Sequence, residues 1–173
     1  MKIIAFVGHS ESGKSRLIAR LVPELKKRGL TVAVVKHCSH GFDLGSPEKD
    51  SSKFLMAGAD GVALAAPGRT AVLRKGGRES DLVALARAHF RAINIVLVEG
   101  GKSDARLRKI EVLRRSLSGG IQTSPGELDA VVADYAAVAD LPLFRPGEVK
   151  RIADWLVAFY DLKARGGRIS GGT

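Results

Sequence analysis

The 173-residue chain carries 28 Lys plus Arg against 18 Asp plus Glu, a formal net charge of +10. With 45% hydrophobic and 27% charged residues it has enough apolar mass for a full core, which excludes disorder of the whole chain. Apolar runs such as Ile93 to Val98 fall far short of the roughly 20 residues of a membrane-spanning helix, and the single cysteine, Cys38, excludes an internal disulfide. The expected setting is a reducing cytoplasm, with no signal peptide and no zinc-type Cys or His spacing. The charge points to an anionic partner. Aromatics are 5% of the chain and do not interleave with the basic clusters, so the stacking platform of a single-strand binder is missing. Neither nucleic acid nor a membrane is expected as a partner.

In chain order, Ile3 to Val7 reads as a strand buried on both faces and ending at Gly8. Leu17, Ile18, Leu21, Val22 and Leu25 recur at helical spacing until Arg28-Gly29 stops the helix. Thr31 to Val35 is a second buried strand, followed by a polar loop from Lys36 to about Asp50 that contains Gly41, Gly45 and Pro47. Ser51 to Ala57 suits a short helix closed by Gly58, with Asp50 as its N-cap. Two apolar runs, Gly61 to Ala66 and Thr70 to Arg74, flank Pro67-Gly68-Arg69 and read as a strand pair. Ser80 caps a helix carrying Leu82, Val83, Leu85, Ala86 and Phe90, which leads into the strand Ile93 to Val98. Ile110 to Leu113 and Leu128 to Ala133 are further strands, and Val149, Ile152, Ala153, Leu156, Val157 and Tyr160 mark a closing amphipathic helix. The alternation implies a three-layer α/β fold, mostly parallel, with an antiparallel strand pair near residues 61–74. A single domain is expected over 1–164, with a glycine-rich, disordered tail over 165–173.

Gly8-His9-Ser10-Glu11-Ser12-Gly13-Lys14-Ser15 satisfies G-x-x-x-x-G-K-[ST] between a strand and a helix, as a phosphate loop requires, so the expected α/β fold is of the P-loop NTPase type and the 1–164 domain a nucleotide-binding one. Glycines let successive N–H groups point inward at phosphate oxygens, and the helix adds the positive end of its dipole. Lys14 reaches the β and γ phosphates in this reading, and the Ser15 hydroxyl ligates Mg²⁺. Glu11 is the odd residue, facing the phosphates unless it turns to solvent. His9 meets the γ-phosphate or a partner, or is an exposed loop residue. Magnesium also needs an acid at the end of a neighbouring buried strand, and Glu99 stands there, followed by Gly100-Gly101, which lets backbone approach the γ-phosphate. Asp43 and Asp50 lie in the loop after the second strand, either able to approach the metal through water, with helix capping an equal explanation for Asp50.

Together, the phosphate loop, the Val34-Val35-Lys36-His37-Cys38-Ser39-His40-Gly41-Phe42-Asp43 segment, Lys49-Asp50-Ser51, Ala57-Gly58-Ala59 and Leu97-Val98-Glu99-Gly100 resemble the MobB family. Its members are adaptor proteins of molybdopterin-guanine dinucleotide biosynthesis, and the likeness runs through roughly the first 115 residues. The resemblance implies a GTP-binding homodimer that works beside the guanylyltransferase joining GMP to molybdopterin, with weak Mg²⁺-dependent GTP hydrolysis. By position, Gly8, Ser12, Gly13, Lys14 and Ser15 match the nucleotide loop. Glu99 matches the magnesium-side acid, and Lys36, His37, Asp43 and Asp50 the loop beside the phosphates. Glu11 stands where a small residue is common and Gly45 where a second acid often occurs, so slower hydrolysis is expected here.

Guanine specificity comes from the family alone, since no Asn-Lys-x-Asp segment occurs. Asp134, after a strand, could face guanine N1 and N2, and a strand-end turn explains it equally. Arg106, Arg108, Lys109, Arg114 and Arg115 form the densest basic stretch, read either as a contact for a molybdopterin phosphate or an acidic face of the transferase, or as a solvated face. The alternative function is a small-molecule kinase using ATP, with Arg69, Arg74 and Arg78 over the phosphates. The pair near 61–74 is a candidate dimer edge, because an unpaired strand invites its symmetry mate.

Overall fold

The computed structural model describes residues 1–38, 41, 50–74, 81–117, 119–137 and 140–164, side chains at 50–52 excepted. Asp43, Gly45, Pro47, Lys49, Arg78, Ser80 and the tail 165–173 lie outside the described residues, as does the Asp50 side chain. The chain divides into two compact units: Met1–His37 with the chain from Leu82 on, and Cys38–Asp81.

The first unit is built on a six-stranded sheet. Its strands are β1 (Lys2–Val7), β2 (Val32–Lys36), β5 (Ile95–Glu99), β6 (Arg108–Leu113), β7 (Leu128–Ala133) and β8 (Leu143–Phe144), in the order β2-β5-β1-β6-β7-β8. All five pairings are parallel. Parallel strands covered on both faces read as continuous apolar runs, and β5 and β7 are Ile-Val-Leu-Val-Glu and Leu-Asp-Ala-Val-Val-Ala. Alternate residues feed two cores. Ile4, Phe6, Ile95, Leu97, Ile110 and Val112 meet α1 (Lys14–Lys27) and α4 (Val149–Phe159) through Leu21, Leu25, Ile152 and Leu156. Ala5, Val7, Val96 and Val98 face α3 (Leu82–His89) through Leu82, Val83 and Ala86. Helices therefore cover both faces, which makes the three layers expected from the alternating pattern.

The helix after the phosphate loop begins at Lys14 rather than at the first apolar position, because the loop's last glycine is its N-cap. It accommodates Pro23, whose missing N–H removes one hydrogen bond to the preceding turn. β8 is only two residues long and was not among the expected strands.

The second unit holds α2 (Asp50–Met56) and a separate two-stranded sheet, β3 (Gly61–Ala66) paired antiparallel with β4 (Arg69–Arg74). The strand pair is thus a sheet of its own and not part of the large one. Its turn is tighter than Pro67-Gly68-Arg69, since Arg69 already pairs with Ala66, leaving Pro67-Gly68 as the two-residue connection. Asp50 is the first residue of α2 and not the residue before it, a one-position shift within the normal ambiguity of helix ends.

Candidate functional site

The parallel sheet brings the C-terminal ends of β1, β5 and β2 to one edge, where open α/β sheets place their ligands. Gly8 to Ser15 joins β1 to α1 there. Gly8 has φ +135, and a Cβ on it would sit 2.3 Å from the Val112 carbonyl oxygen, so neither conformation nor space admits a side chain. Glu11 is exposed with φ +62, the turned-out alternative of the sequence reading. Ser10 is exposed beside it, and Ser12 is buried.

Lys14 folds back over the loop. Its Nζ donates to the carbonyl of Gly8 at 3.0 Å and to that of His9, and lies 3.4 Å from Ser12 Oγ. Burial pulls the Lys14 ammonium below the usual lysine range; Glu99 opposes the shift and Lys36 adds to it. Ser15 Oγ donates to Glu99 Oε1 at 2.6 Å. Lys36 Nζ stands 3.6 Å from the same oxygen, and the His37 N–H donates to the Glu99 carbonyl at 2.9 Å. At Gly100, an added Cβ would meet His37 Cβ at 3.1 Å. Lys14, Ser15, Lys36, His37, Glu99 and Gly100 are therefore one cluster. Asp50 opens a helix of the second unit, and Arg69 and Arg74 lie on β4 of that unit.

Hard oxygen donors suit magnesium, which typically takes one or two carboxylates with phosphate and water ligands. The Ser15 hydroxyl against the Glu99 carboxylate fits that donor set. Among the described residues no group of three or more His, Cys, Asp or Glu could cage a metal.

Several groups around the loop were not legible from the motif. Arg114 Nε donates to the Ser12 carbonyl at 3.1 Å, and its guanidinium lies 3.0 Å from where a Gly13 Cβ would be. Asp134 accepts from the Arg115 N–H at 2.8 Å and stands 3.7 Å from Arg114 Nη1, so the strand-end turn accounts for it. His9 Nε2 lies 3.0 Å from Gln122 Nε2, and the backbone before and after that side chain is held by Glu111, buried, which accepts from the N–H groups of Gln122 and Thr123 at 3.1 and 3.0 Å. Arg114 was visible as part of a basic stretch; nothing in the sequence pattern marked Gln122 or Glu111.

The basic stretch itself is not a continuous solvated face. Lys109 is fully buried and paired with Glu127, with its Nζ donating to the Asp104 carbonyl at 2.9 Å. Arg108 pairs with the buried Asp129, a bond that raises the guanidinium's already high pKa, and Arg106 pairs with Asp104 at 2.7 Å. Arg115 leans over the Tyr135 ring, 5.6 Å from its centre.

The three-layer sheet, with a glycine loop between its central strand and a following helix, defines a P-loop NTPase-like protein. The profile described as MobB, molybdopterin guanine dinucleotide synthesis protein B, matches residues 3–134, and the chain belongs to that family. It is 32% identical over 164 residues to the molybdopterin-guanine dinucleotide biosynthesis adapter protein of Escherichia coli K12, covering 90% of this chain and 91% of that protein. The protein of the same description from Haemophilus influenzae is 30% identical over 155 residues, covering 89% and 86%. Among solved structures, molybdopterin-guanine biosynthesis protein B (mobB) superposes with a TM-score of 0.71 at 31% identity, covering 92% of this chain and 99% of that one. Bacillus subtilis MobB shares the fold, with a TM-score of 0.69 at 24% identity over 95% and 100% of the chains. No helix among the described residues is long and apolar enough to cross a membrane.

Proposed function

We propose that this protein binds GTP with Mg²⁺ as an adapter of molybdopterin-guanine dinucleotide biosynthesis, working as a homodimer beside the molybdopterin guanylyltransferase and its molybdopterin or dinucleotide ligand. The observation that carries the reading is the Ser15 to Glu99 contact at the mouth of the Gly8 to Ser15 loop. Family membership, and the adapter description of the relatives, support the biosynthetic role.

Lys14 is the cation placed over the loop. Its present partners are loop carbonyls, weaker acceptors than phosphate oxygens, so a triphosphate draws the ammonium off the backbone and restores the charge that burial disfavours. Loop N–H groups and the start of α1 add fixed positive dipoles, which need no reorganisation when the anion arrives. Bound magnesium would supply charge neutralisation of the β and γ phosphates, with Ser15 and Glu99 holding it. Gly100 and His37 border the γ end. Glu99 is engaged by Ser15 and Lys36, and the hydrolysis proposed here is a slow, Mg²⁺-dependent one.

Calorimetric titration with GTP, ATP and non-hydrolysable analogues in Mg²⁺, on the native protein and Lys14→Ala, tests the reading. GTP-selective binding that the substitution abolishes is the expected result. ATP preference with phosphate transfer to an added acceptor would replace the adapter with a kinase.

A further inference from the structure

The two sides of the phosphate loop are chemically unlike. Towards β5 stand Glu99 and Lys36. On the β6 side a cleft of about 230 Å³ opens from Gly13 along Arg16 and Arg20 of α1, bounded by Arg114 and by Pro146 and Gly147 after β8. In the GTP reading Ser15 and Glu99 would hold magnesium beside the terminal phosphates, which leaves the cleft on the other side of the loop for the nucleoside.

Among the described residues the charged groups lining that cleft are arginines, with no carboxylate among them. Arg16 is exposed and has no partner among the described residues. Arg20 uses one N–H on the Pro146 carbonyl at 3.2 Å, which also pins the turn after β8. Arg114 uses Nε on the Ser12 carbonyl. Acids around it are already engaged: Glu24 accepts from Lys27 at 2.7 Å and from Arg28 at 3.1 Å, Glu148 accepts from the Arg145 N–H at 2.6 Å and from Arg151 at 2.7 Å, and Asp134 accepts from the Arg115 N–H. Guanidinium groups only donate. Guanine offers two adjacent acceptors, O6 and N7, whereas adenine sets an N6 donor beside N7.

We propose that this cleft holds the purine of the bound nucleotide and that Arg16 and Arg20 read the O6 and N7 acceptors of guanine, with Arg114 as the wall against the phosphate loop. The proposal rests on the GTP reading above and names the atoms that select the base. Guanine is chosen through its acceptor edge, and the absent Asn-Lys-x-Asp carboxylate is not replaced by Asp134.

The test is calorimetric titration in Mg²⁺ with GTP, ITP, 7-deaza-GTP and ATP, on the native protein and on Arg16→Gln, Arg20→Gln and the double variant. ITP keeps O6 and N7 but lacks the 2-amino group. It is expected within about threefold of GTP, while 7-deaza-GTP and ATP bind roughly tenfold more weakly or worse, the scale of one lost bidentate base contact. In the double variant the loss of positive charge weakens every nucleotide alike, so the readout is the GTP-to-ATP affinity ratio, which falls towards one. ITP binding tenfold weaker than GTP, with that ratio unmoved by either substitution, overturns the proposal in favour of a carboxylate on N1 and N2. Lys14-dependent GTP binding indifferent to Arg16 and Arg20 overturns this inference alone; absence of any Lys14-dependent triphosphate binding overturns the GTP reading and this inference with it. Both arginines are on an exposed helix face, and unchanged thermal melting of the variants keeps a folding defect separate from lost recognition.

Discussion

Ser15 Oγ, one residue into α1, lies 2.6 Å from Glu99 Oε1 at the end of β5, although 84 positions separate the two in the chain. The contact exists because β5 pairs with β1 in register, Phe6 opposite Glu99, so the strand end carrying the acid comes beside the strand that feeds the loop. Ser15→Ala and Glu99→Gln each remove one oxygen donor. Either is expected to lower Mg²⁺ affinity of the nucleotide complex by roughly 10- to 100-fold, the range seen when a metal-site partner is lost. The measurement is GTP affinity as a function of Mg²⁺ concentration. A magnesium dependence identical to the native protein's would remove this pair from the metal site.

Gly8 is a position where conformation and space agree. Gly8→Ala has to accept φ +135 and a Cβ 2.3 Å from the Val112 carbonyl oxygen. The strained backbone costs about 1–3 kcal/mol before the clash is counted, and a fall of roughly 5 °C or more in melting temperature is expected. Differential scanning calorimetry of the variant reads it directly.

Tyr160 donates its hydroxyl to the buried Asp129, which also receives Arg108. Burial first, and then the bond to Asp129, push the phenol well above its ordinary value of 10.0. The folded protein therefore keeps this proton at a pH where the unfolded chain has begun to lose it. The resulting stability is fully present below pH 10 and declines as the pH rises above it. Tyr160→Phe is expected to cost roughly 1.5–3 kcal/mol near neutrality, the worth of a hydrogen bond to a charged group. Melting temperatures of both proteins from pH 8 to 11.5 should converge as the pH rises, because only the native protein has this contribution to lose. Parallel curves would show that the phenol does not carry the linkage.

The β3–β4 pair exposes Leu64 and Val72, at 46% and 59% of their surface, and α2 of the same unit exposes Phe54 and Met56. A two-stranded ribbon is marginal in water, and pairing with a second copy would cover this unit. Light scattering is expected to return twice the 18.4 kDa chain mass, with Leu64→Asp shifting the population to monomer. A native monomer at high concentration would count against the dimer edge.

How much of this was legible in the sequence depended on how local the cause was. The strands Ile3 to Val7 and Leu128 to Ala133 were found as apolar runs within a residue or two of their ends. Their type is set by neighbours a few positions away. Lys109 was misread as surface charge because β6 lies between β1 and β7 and is buried along almost its whole length. Nothing in Arg108-Lys109-Ile110 shows that the strand is interior, and the charge is tolerated only because Glu127 and the Asp104 carbonyl meet it. β8 was missed because two residues, Leu143 and Phe144, are too short to carry a period. Yet β8 sets the Pro146 and Gly147 turn that bounds the arginine cleft.

By itself the sequence determined the phosphate loop, since the glycines, Lys14 and Ser15 are consecutive and their geometry is made by backbone dihedrals within eight residues. It also determined the alternation of strand and helix, and through that the layered fold. The sequence also singled out Glu99 as the acid that acts with Ser15, whereas only the tertiary structure decided which arginine braces Ser12 and which charges face inward. Those pairings depend on the permuted strand order β2-β5-β1-β6-β7-β8, which brings distant segments to one edge by packing both faces of the sheet at once.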